Sequence, residues 1–262
     1  MSKPTFIFVP GAWHTPSCFS LVTARLAKHG YTSHGLSLPS VGANPGLPDF
    51  SADVCALRDL INKLISAAED VVVVLWSYAG VVGTEAVLPA MLKRRRETEG
   101  QRGGVVHLVY LAAFLLPVGE GILMGGRPQS VHDDNDHDVL RYDWAAGTVS
   151  VNPAMARPLF YNDVEDQALV EDMSRNLRSM SVGAFRSRLT RAAWEYTPAT
   201  LVLCERDGCM DRGRREQRLR AARDKCPGAV GRVERCGAGH APFLSMPDRV
   251  VEILRRAAGE EV

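Results

Sequence analysis

Three residues far apart in the chain have the types and surroundings that acyl-transfer chemistry needs: Ser77, Asp207 and His240. A serine hydroxyl is a weak nucleophile until a base takes its proton, and a histidine base works best when a carboxylate orients its ring. Ser77 ends the run Val71-Val72-Val73-Val74-Leu75-Trp76 and is followed by Tyr78-Ala79-Gly80, so a buried strand would turn sharply into a helix at the serine. Such a turn lifts the hydroxyl to the carboxyl end of a sheet and aims backbone N–H groups at whatever the serine attacks. His240 lies in Gly237-Ala238-Gly239-His240-Ala241-Pro242-Phe243, a loop after the last expected strand. Asp207 lies in Cys204-Glu205-Arg206-Asp207-Gly208, after the strand before that. All three fall at carboxyl ends of expected strands, where a parallel sheet holds its ligands. Glu205 and Asp211 compete with Asp207 for the acid's role. A helix-capping Ser77 and a purely structural His240 are the plainer alternatives, and the strand context weighs against them.

The elements that must position these residues follow from apolar patterning. Apolar runs at residues 5–9, 71–76 and 105–112 read as strands, residues 31–38 as a second strand in chain order, and residues 200–204 and 230–235 complete the set. Helical spacing marks residues 17–29, ending at Gly30, and residues 53–67, where Val54, Leu57, Leu60, Ile61, Leu64 and Ile65 share a face. Further helices are expected from about 79 to 92 and from 250 to 257. Strands alternating with helices predict an α/β fold with a mostly parallel sheet covered on both faces. Residues 117–196 break the alternation. They show irregular helical pieces such as 164–180, without clear strands, and read as a helical cap inserted into a core of residues 1–116 and 197–262. The run Lys93-Arg94-Arg95-Arg96 reads as a solvated helix end.

Composition narrows the class. The chain has 262 residues, enough for one large core, and 46% hydrophobic residues, which argues against disorder. Lys+Arg 31 against Asp+Glu 30 leaves a formal charge of +1, so neither nucleic acid nor a membrane surface is an expected partner. The amino terminus lacks a signal-peptide pattern, and six scattered cysteines read as free thiols, which points to the cytoplasm. The expected partner is a small-molecule substrate, and homodimer formation is left open. No metal and no cofactor are expected. His132-Asp133-Asp134-Asn135-Asp136-His137-Asp138 begins like a calcium loop, but Val139 stands where that loop needs glycine and Ala145 where it needs glutamate. A polar loop fits better. The Gly125-Gly126 pair has no strand before it, and no dinucleotide fingerprint is present.

With those residues in view, the chain resembles α/β-hydrolases of the branch that includes plant methylesterases, hydroxynitrile lyases and small bacterial and fungal hydrolases. The matching pieces are Phe8-Val9-Pro10-Gly11-Ala12-Trp13-His14, Trp76-Ser77-Tyr78-Ala79-Gly80, Tyr110-Leu111-Ala112-Ala113-Phe114-Leu115-Leu116-Pro117, Leu203-Cys204-Glu205-Arg206-Asp207 and Gly239-His240-Ala241-Pro242-Phe243. The order Ser, Asp, His is that of the family. The resemblance implies the α/β-hydrolase fold, Ser77 as nucleophile, His240 as general base and then acid, Asp207 as its orienting acid, and an oxyanion hole formed by the N–H groups of Ala12 and Tyr78. Leu75 and Ala79 stand where the family usually has glycine, Trp76 where it commonly has histidine, and Pro10 where many members have histidine.

Candidates for the substrate pocket are Trp13, His14, Phe114, Trp194 and Phe243, with Trp144 and Phe160 as further aromatics. The mixed charges of residues 117–196 offer no clamp for a phosphate, so a small-to-medium apolar ester or lactone is the expected substrate. Two other readings compete: a biosynthetic lyase, cyclase or isomerase using the same Ser-His pair for proton transfer, and a hydrolase homologue that binds its ligand with little turnover.

Overall fold

In the computed structural model, which describes residues 3–124, 127–128 and 139–262, the apolar runs assemble into one six-stranded parallel sheet. Its strands are β1 (Thr5–Val9), β2 (Ser33–Gly35), β3 (Asp70–Trp76), β4 (Gly104–Leu111), β10 (Ala199–Cys204) and β11 (Arg232–Cys236), in the order β11-β10-β4-β3-β1-β2. Between β4 and β10 lie the short strands β5 (Leu123–Met124), β6 (Arg127–Pro128), β7 (Leu140–Asp143), β8 (Thr148–Val151) and β9 (Met180–Ser181). The period of two shows in β3: Val71, Val73 and Leu75 enter one hydrophobic core while Val72, Val74 and Trp76 enter the other, on the opposite face. Helices Ser51–Ser66 and Ala79–Ala86 cover the first face, and Ser20–Lys28 and Pro247–Ala257 the second.

Two features of this sheet create a site. The registers Val9↔Leu75, Trp76↔Leu111, Val202↔Leu111 and Cys204↔Cys236 bring the strand ends to one edge. The chain also runs outward from β1 to β2, returns to β3 on the other side, and then proceeds the opposite way. The order therefore reverses between β1 and β3, where their following loops diverge and leave a crevice.

Several expectations need correction. The segment 117–196 is not purely helical: β7, β8 and β9 form a three-stranded antiparallel sheet, and β5 pairs with β6. Strands of two to four residues are too short for alternation to register in sequence. The helix expected over 164–180 spans only Gln167–Arg175, with Asp166 capping it by accepting from the Leu169 N–H at 3.0 Å. The helix after Ser77 stops at Ala86, ahead of the single turn Pro89–Met91 that begins at a proline. β2 keeps three residues of the eight expected, as an edge strand paired only to β1. Helix Arg212–Lys225 carries no apolar stripe and escaped the sequence reading; it buries only Arg215, Leu219 and Ala222. Residues 93–98 form the helix Lys93–Thr98 with no buried residue, as its charge suggests. Among the described residues all six cysteines are free, and no helix is long and apolar enough to cross a membrane. The Gly125-Gly126 pair and residues 132–138 lie outside the described residues.

Candidate active site

Ser77 sits where β3 ends and helix Ala79–Ala86 begins, with φ of +56°, a left-handed conformation costly for a residue with a Cβ. Neighbouring backbone holds it there: the Ser77 carbonyl accepts from Gly80 N–H at 3.0 Å and from Phe114 N–H at 3.2 Å. A Cβ on Gly11 would lie 2.9 Å from the Ser77 Cβ, so glycine lets the loop after β1 press against the serine. Leu75, the departure from the resemblance noted above, is accommodated by the following helix: a Cβ on Gly83 would collide with the Leu75 side chain.

Ser77, His240 and Asp207 meet. The Ser77 hydroxyl donates to His240 Nε2 at 3.0 Å, and the His240 Nδ1–H donates to Asp207, 3.0 Å from Oδ1 and 3.1 Å from Oδ2. Asp207 also accepts from the N–H groups of Cys209 and Met210, each at 2.9 Å. Its charge is balanced by Arg215, whose Nη1 lies 3.2 Å from Asp207 Oδ2 and which is only 6% exposed. Burial by itself raises the Asp207 carboxyl, but His240, Arg215 and the Met210 N–H together hold it below the usual carboxylate range. Burial likewise works against the His240 imidazolium, yet the Asp207 carboxylate, with Cys209 beside it, outweighs that and holds the ring above its ordinary value. The competing acids are elsewhere: Glu205 is exposed, and Asp211 caps helix Arg212–Lys225 by accepting from Arg214 N–H at 2.7 Å.

The loop after β1 brings Ala12 to the same edge. Among the hydrogen bonds of the described residues, neither the Ala12 N–H nor the Tyr78 N–H has an acceptor. Around them the polar groups are tied down. Burial lowers the His14 imidazole to about 3, with the Ala12 carbonyl pulling the other way and the charge of His240 lowering it further. Neutral His14 donates from Nδ1 to the Ala12 carbonyl at 2.7 Å and accepts at Nε2 from the Tyr161 hydroxyl at 2.6 Å. Tyr78 is anchored through its hydroxyl, which donates to the buried Asp53 at 2.6 Å; Asp53 also accepts from the Ser40 N–H at 2.8 Å. Trp76 donates its indole N–H to the His240 carbonyl at 2.8 Å. One strand end thus carries the serine and also holds the histidine's main chain.

The pocket candidates divide. Trp13, at φ of +66°, donates from its indole to the Val149 carbonyl at 3.0 Å and packs on Phe160 and Phe185, while Phe160 also lies against His14 and His240. Phe114 holds the Ser77 carbonyl through its backbone, and its ring lies under Arg218. Two candidates are corrected. Phe243 is packed between Phe19 and Trp76 in the core, because the proline-led turn Pro242–Ser245 points it back under the sheet edge. Trp194 bonds the Leu116 carbonyl at 2.9 Å and floors a separate cavity of about 480 Å³ that none of the three residues lines. Trp144 is exposed and stacks on Tyr142. Ser77 is 9% exposed and His240 0%, so both are shielded from bulk solvent. Sequence reasoning missed Arg215, Asp53 and Tyr161. Arg215 alone left a sequence signal, a cation eight residues beyond Asp207 in an otherwise arginine-crowded stretch.

The fold, the sharp turn at Ser77 and the order of the three residues agree with the wider family. Residues 6–253 match the alpha/beta hydrolase family, and the chain belongs to it. It is 36% identical over its whole length to a protein of Aspergillus novofumigatus (strain IBT 16806) named alpha/beta hydrolase nvfD, covering 99% of that protein. Among solved structures it is similar in fold to a methylesterase, MES16, from Arabidopsis, with a TM-score of 0.73 at 20% identity, covering 98% of this chain and 99% of that one. A pyrethroid hydrolase from Sphingobium faniae JZ-2 gives a TM-score of 0.72 at 19% identity, covering 98% of each chain.

Proposed function

We propose that this protein is a serine hydrolase that cleaves a small-to-medium apolar carboxylic ester or lactone through an acyl-enzyme. The observation that carries the reading is the unbroken chain from Ser77 Oγ to His240 Nε2 at 3.0 Å and from His240 Nδ1 to Asp207 at 3.0 Å. In this reaction Ser77 Oγ attacks the carbonyl carbon while its proton passes to His240 Nε2. The oxyanion that forms is received by the Ala12 and Tyr78 N–H groups, donors of a kind worth roughly 3–4 kcal/mol each. Collapse expels the alcohol, which takes the proton from His240, and water then releases the acid by the same steps in reverse roles. Asp207, kept ionised by its donors and by Arg215, stabilises the transient imidazolium. The aromatic surroundings of Trp13, Phe160 and Phe185 support an apolar substrate, and two proteins similar in fold, a methylesterase and a pyrethroid hydrolase, accord with an ester.

The test is Ser77→Ala on p-nitrophenyl butyrate. Activity falls by several orders of magnitude if Ser77 is the nucleophile; unchanged activity removes Ser77 from the mechanism. The shielding of His240, 0% exposed, favours one second reading, in which the Ser-His pair moves protons without admitting water. Product formed in ¹⁸O-water decides between them: the label enters the acid under hydrolysis and is absent under the second reading.

A further inference from the structure

The segment 117–196 does more than lie against the site. Three consecutive residues of it, Tyr161, Asn162 and Asp163, follow helix Pro153–Phe160, and a hydrogen bond from Val164 N–H to the Tyr161 carbonyl at 3.1 Å closes them into a turn. Each side chain reaches a different loop of the sheet edge. The Tyr161 hydroxyl donates to His14 Nε2 at 2.6 Å, and His14 in turn holds the Ala12 carbonyl in the loop after β1. Asn162 donates from Nδ2 to the Arg206 carbonyl at 2.8 Å, the peptide immediately before Asp207. Asp163 accepts at Oδ2 from the Gly239 N–H at 2.7 Å, the residue immediately before His240, and lies 3.8 Å from the Arg206 guanidinium.

The fit is close. A Cβ on Gly239 would collide with Asn162 Oδ1 and lie 2.5 Å from Asp163 Oδ1, so only glycine allows the histidine loop to approach the turn. The Asp163 side chain is 1% exposed and its Oδ1 has no partner, so the carboxylate is held in place at a desolvation cost that packing alone does not explain. The loops after β10 and β11 are also joined to each other, by the Glu205 N–H to the Cys236 carbonyl at 2.9 Å and the Arg206 N–H to the Ala238 carbonyl at 3.0 Å, and the turn ties both of them to the loop after β1.

We propose that Tyr161, Asn162 and Asp163 are positioning residues that fix the oxyanion, acid and histidine loops relative to one another. Their effect on rate rests on the serine-hydrolase reading, whereas their effect on loop geometry does not. Misplacing reacting groups by about 1 Å can cost on the order of a hundredfold in rate, so a three-way anchor at this point has leverage.

The experiment compares the wild-type protein with Tyr161→Phe, Asp163→Ala and Asp163→Asn on p-nitrophenyl butyrate, with kcat normalised to the sites titrated by a fluorophosphonate. Tyr161→Phe and Asp163→Ala are expected to lower kcat per titrated site by about tenfold or more, with KM within about twofold. Asp163→Asn keeps an acceptor for Gly239 N–H and recovers most of the loss. A second readout needs no turnover: the low-field NMR signal of the proton between His240 Nδ1 and Asp207. It persists in Tyr161→Phe, which releases only the oxyanion loop, and broadens or vanishes in Asp163→Ala, which releases the loops that carry the pair. Unchanged kcat per site with only a lowered Tm overturns the proposal, as does a loss confined to KM or an unaltered proton signal in Asp163→Ala. If the wild type neither labels nor turns over the ester, the hydrolase reading fails, and the NMR comparison still decides the role of the turn.

Discussion

The sheet edge that carries Ser77 and the segment 117–196 packed against it are built by different rules. The edge ends long strands buried on both faces, such as β3 and β4, which pair at seven positions and whose apolar side chains feed two cores at once. No single side chain there decides where the edge lies. The segment has strands of two to four residues and meets the site through the rings of Phe160 and Phe185 and through individual polar contacts: Val149 to the Trp13 indole, the Arg178 N–H to the Trp13 carbonyl, Tyr161 to His14 and Asp163 to Gly239. Hydrophobic patterning thus fixes where the chemistry sits, and a few hydrogen bonds fix how well it is aligned.

That contrast can be broken or sharpened by substitution. Asp207→Asn leaves the edge in place but removes the charge that orients and stabilises His240, and kcat should fall by about 10³ to 10⁴ with the fold intact by circular dichroism. A loss below tenfold would mean that another acid serves His240. The raised imidazole has a further consequence. His240 must be neutral to act as base, so the acid limb of kcat/KM should lie above 6.5, the ordinary imidazole value. A limb at or below that value would show that Asp207 does not set the protonation of His240. Trp76→Phe removes one donor from the His240 carbonyl while keeping an aromatic ring at the strand end; kcat should fall about tenfold with KM little changed, since the buried carbonyl loses its partner. An equal loss in kcat and gain in KM would make Trp76 a substrate contact instead. An effect on stability rather than on rate concerns His14. Its imidazole is lowered in the folded protein, so between pH 6.5 and about 3 the unfolded chain binds the extra proton. Stability should therefore decline as pH falls through that window, by up to about 1.4 kcal/mol per pH unit, and His14→Gln should flatten the slope. A slope unaltered in that variant would place the acid sensitivity elsewhere.

The same division explains what the sequence disclosed. Ser77 and Asp207 were legible because each follows an apolar run that reads as a buried strand, and His240 because its glycine-rich loop follows the last strand, the charged edge strand β11; parallel sheets place such ends together. Ala12 and Tyr78 came from the resemblance to known hydrolases, since a backbone N–H leaves no mark in a sequence. Trp194 and Phe243 were misassigned because an aromatic near a site reads the same whether it lines a pocket or fills a core. Tyr161 and Asp163 were invisible for a different reason. They act across 147 and 76 residues of chain, through a turn whose position depends on a small antiparallel sheet that no periodicity announced. Leu75 stood out in sequence as a departure from the resemblance, and its compensation, the bare face of Gly83 in the following helix, became evident only in three dimensions.

The central claim is that the hydroxyl of Ser77 is activated by His240, and covalent capture tests it most directly. The protein is incubated with a fluorophosphonate and its digest read by mass spectrometry, alongside His240→Ala. The account predicts a single adduct on the peptide that contains Ser77, formed at one per chain in the wild type and slowed by orders of magnitude in the variant. An adduct on another residue, or equal labelling of Ser77 without the histidine, would contradict it.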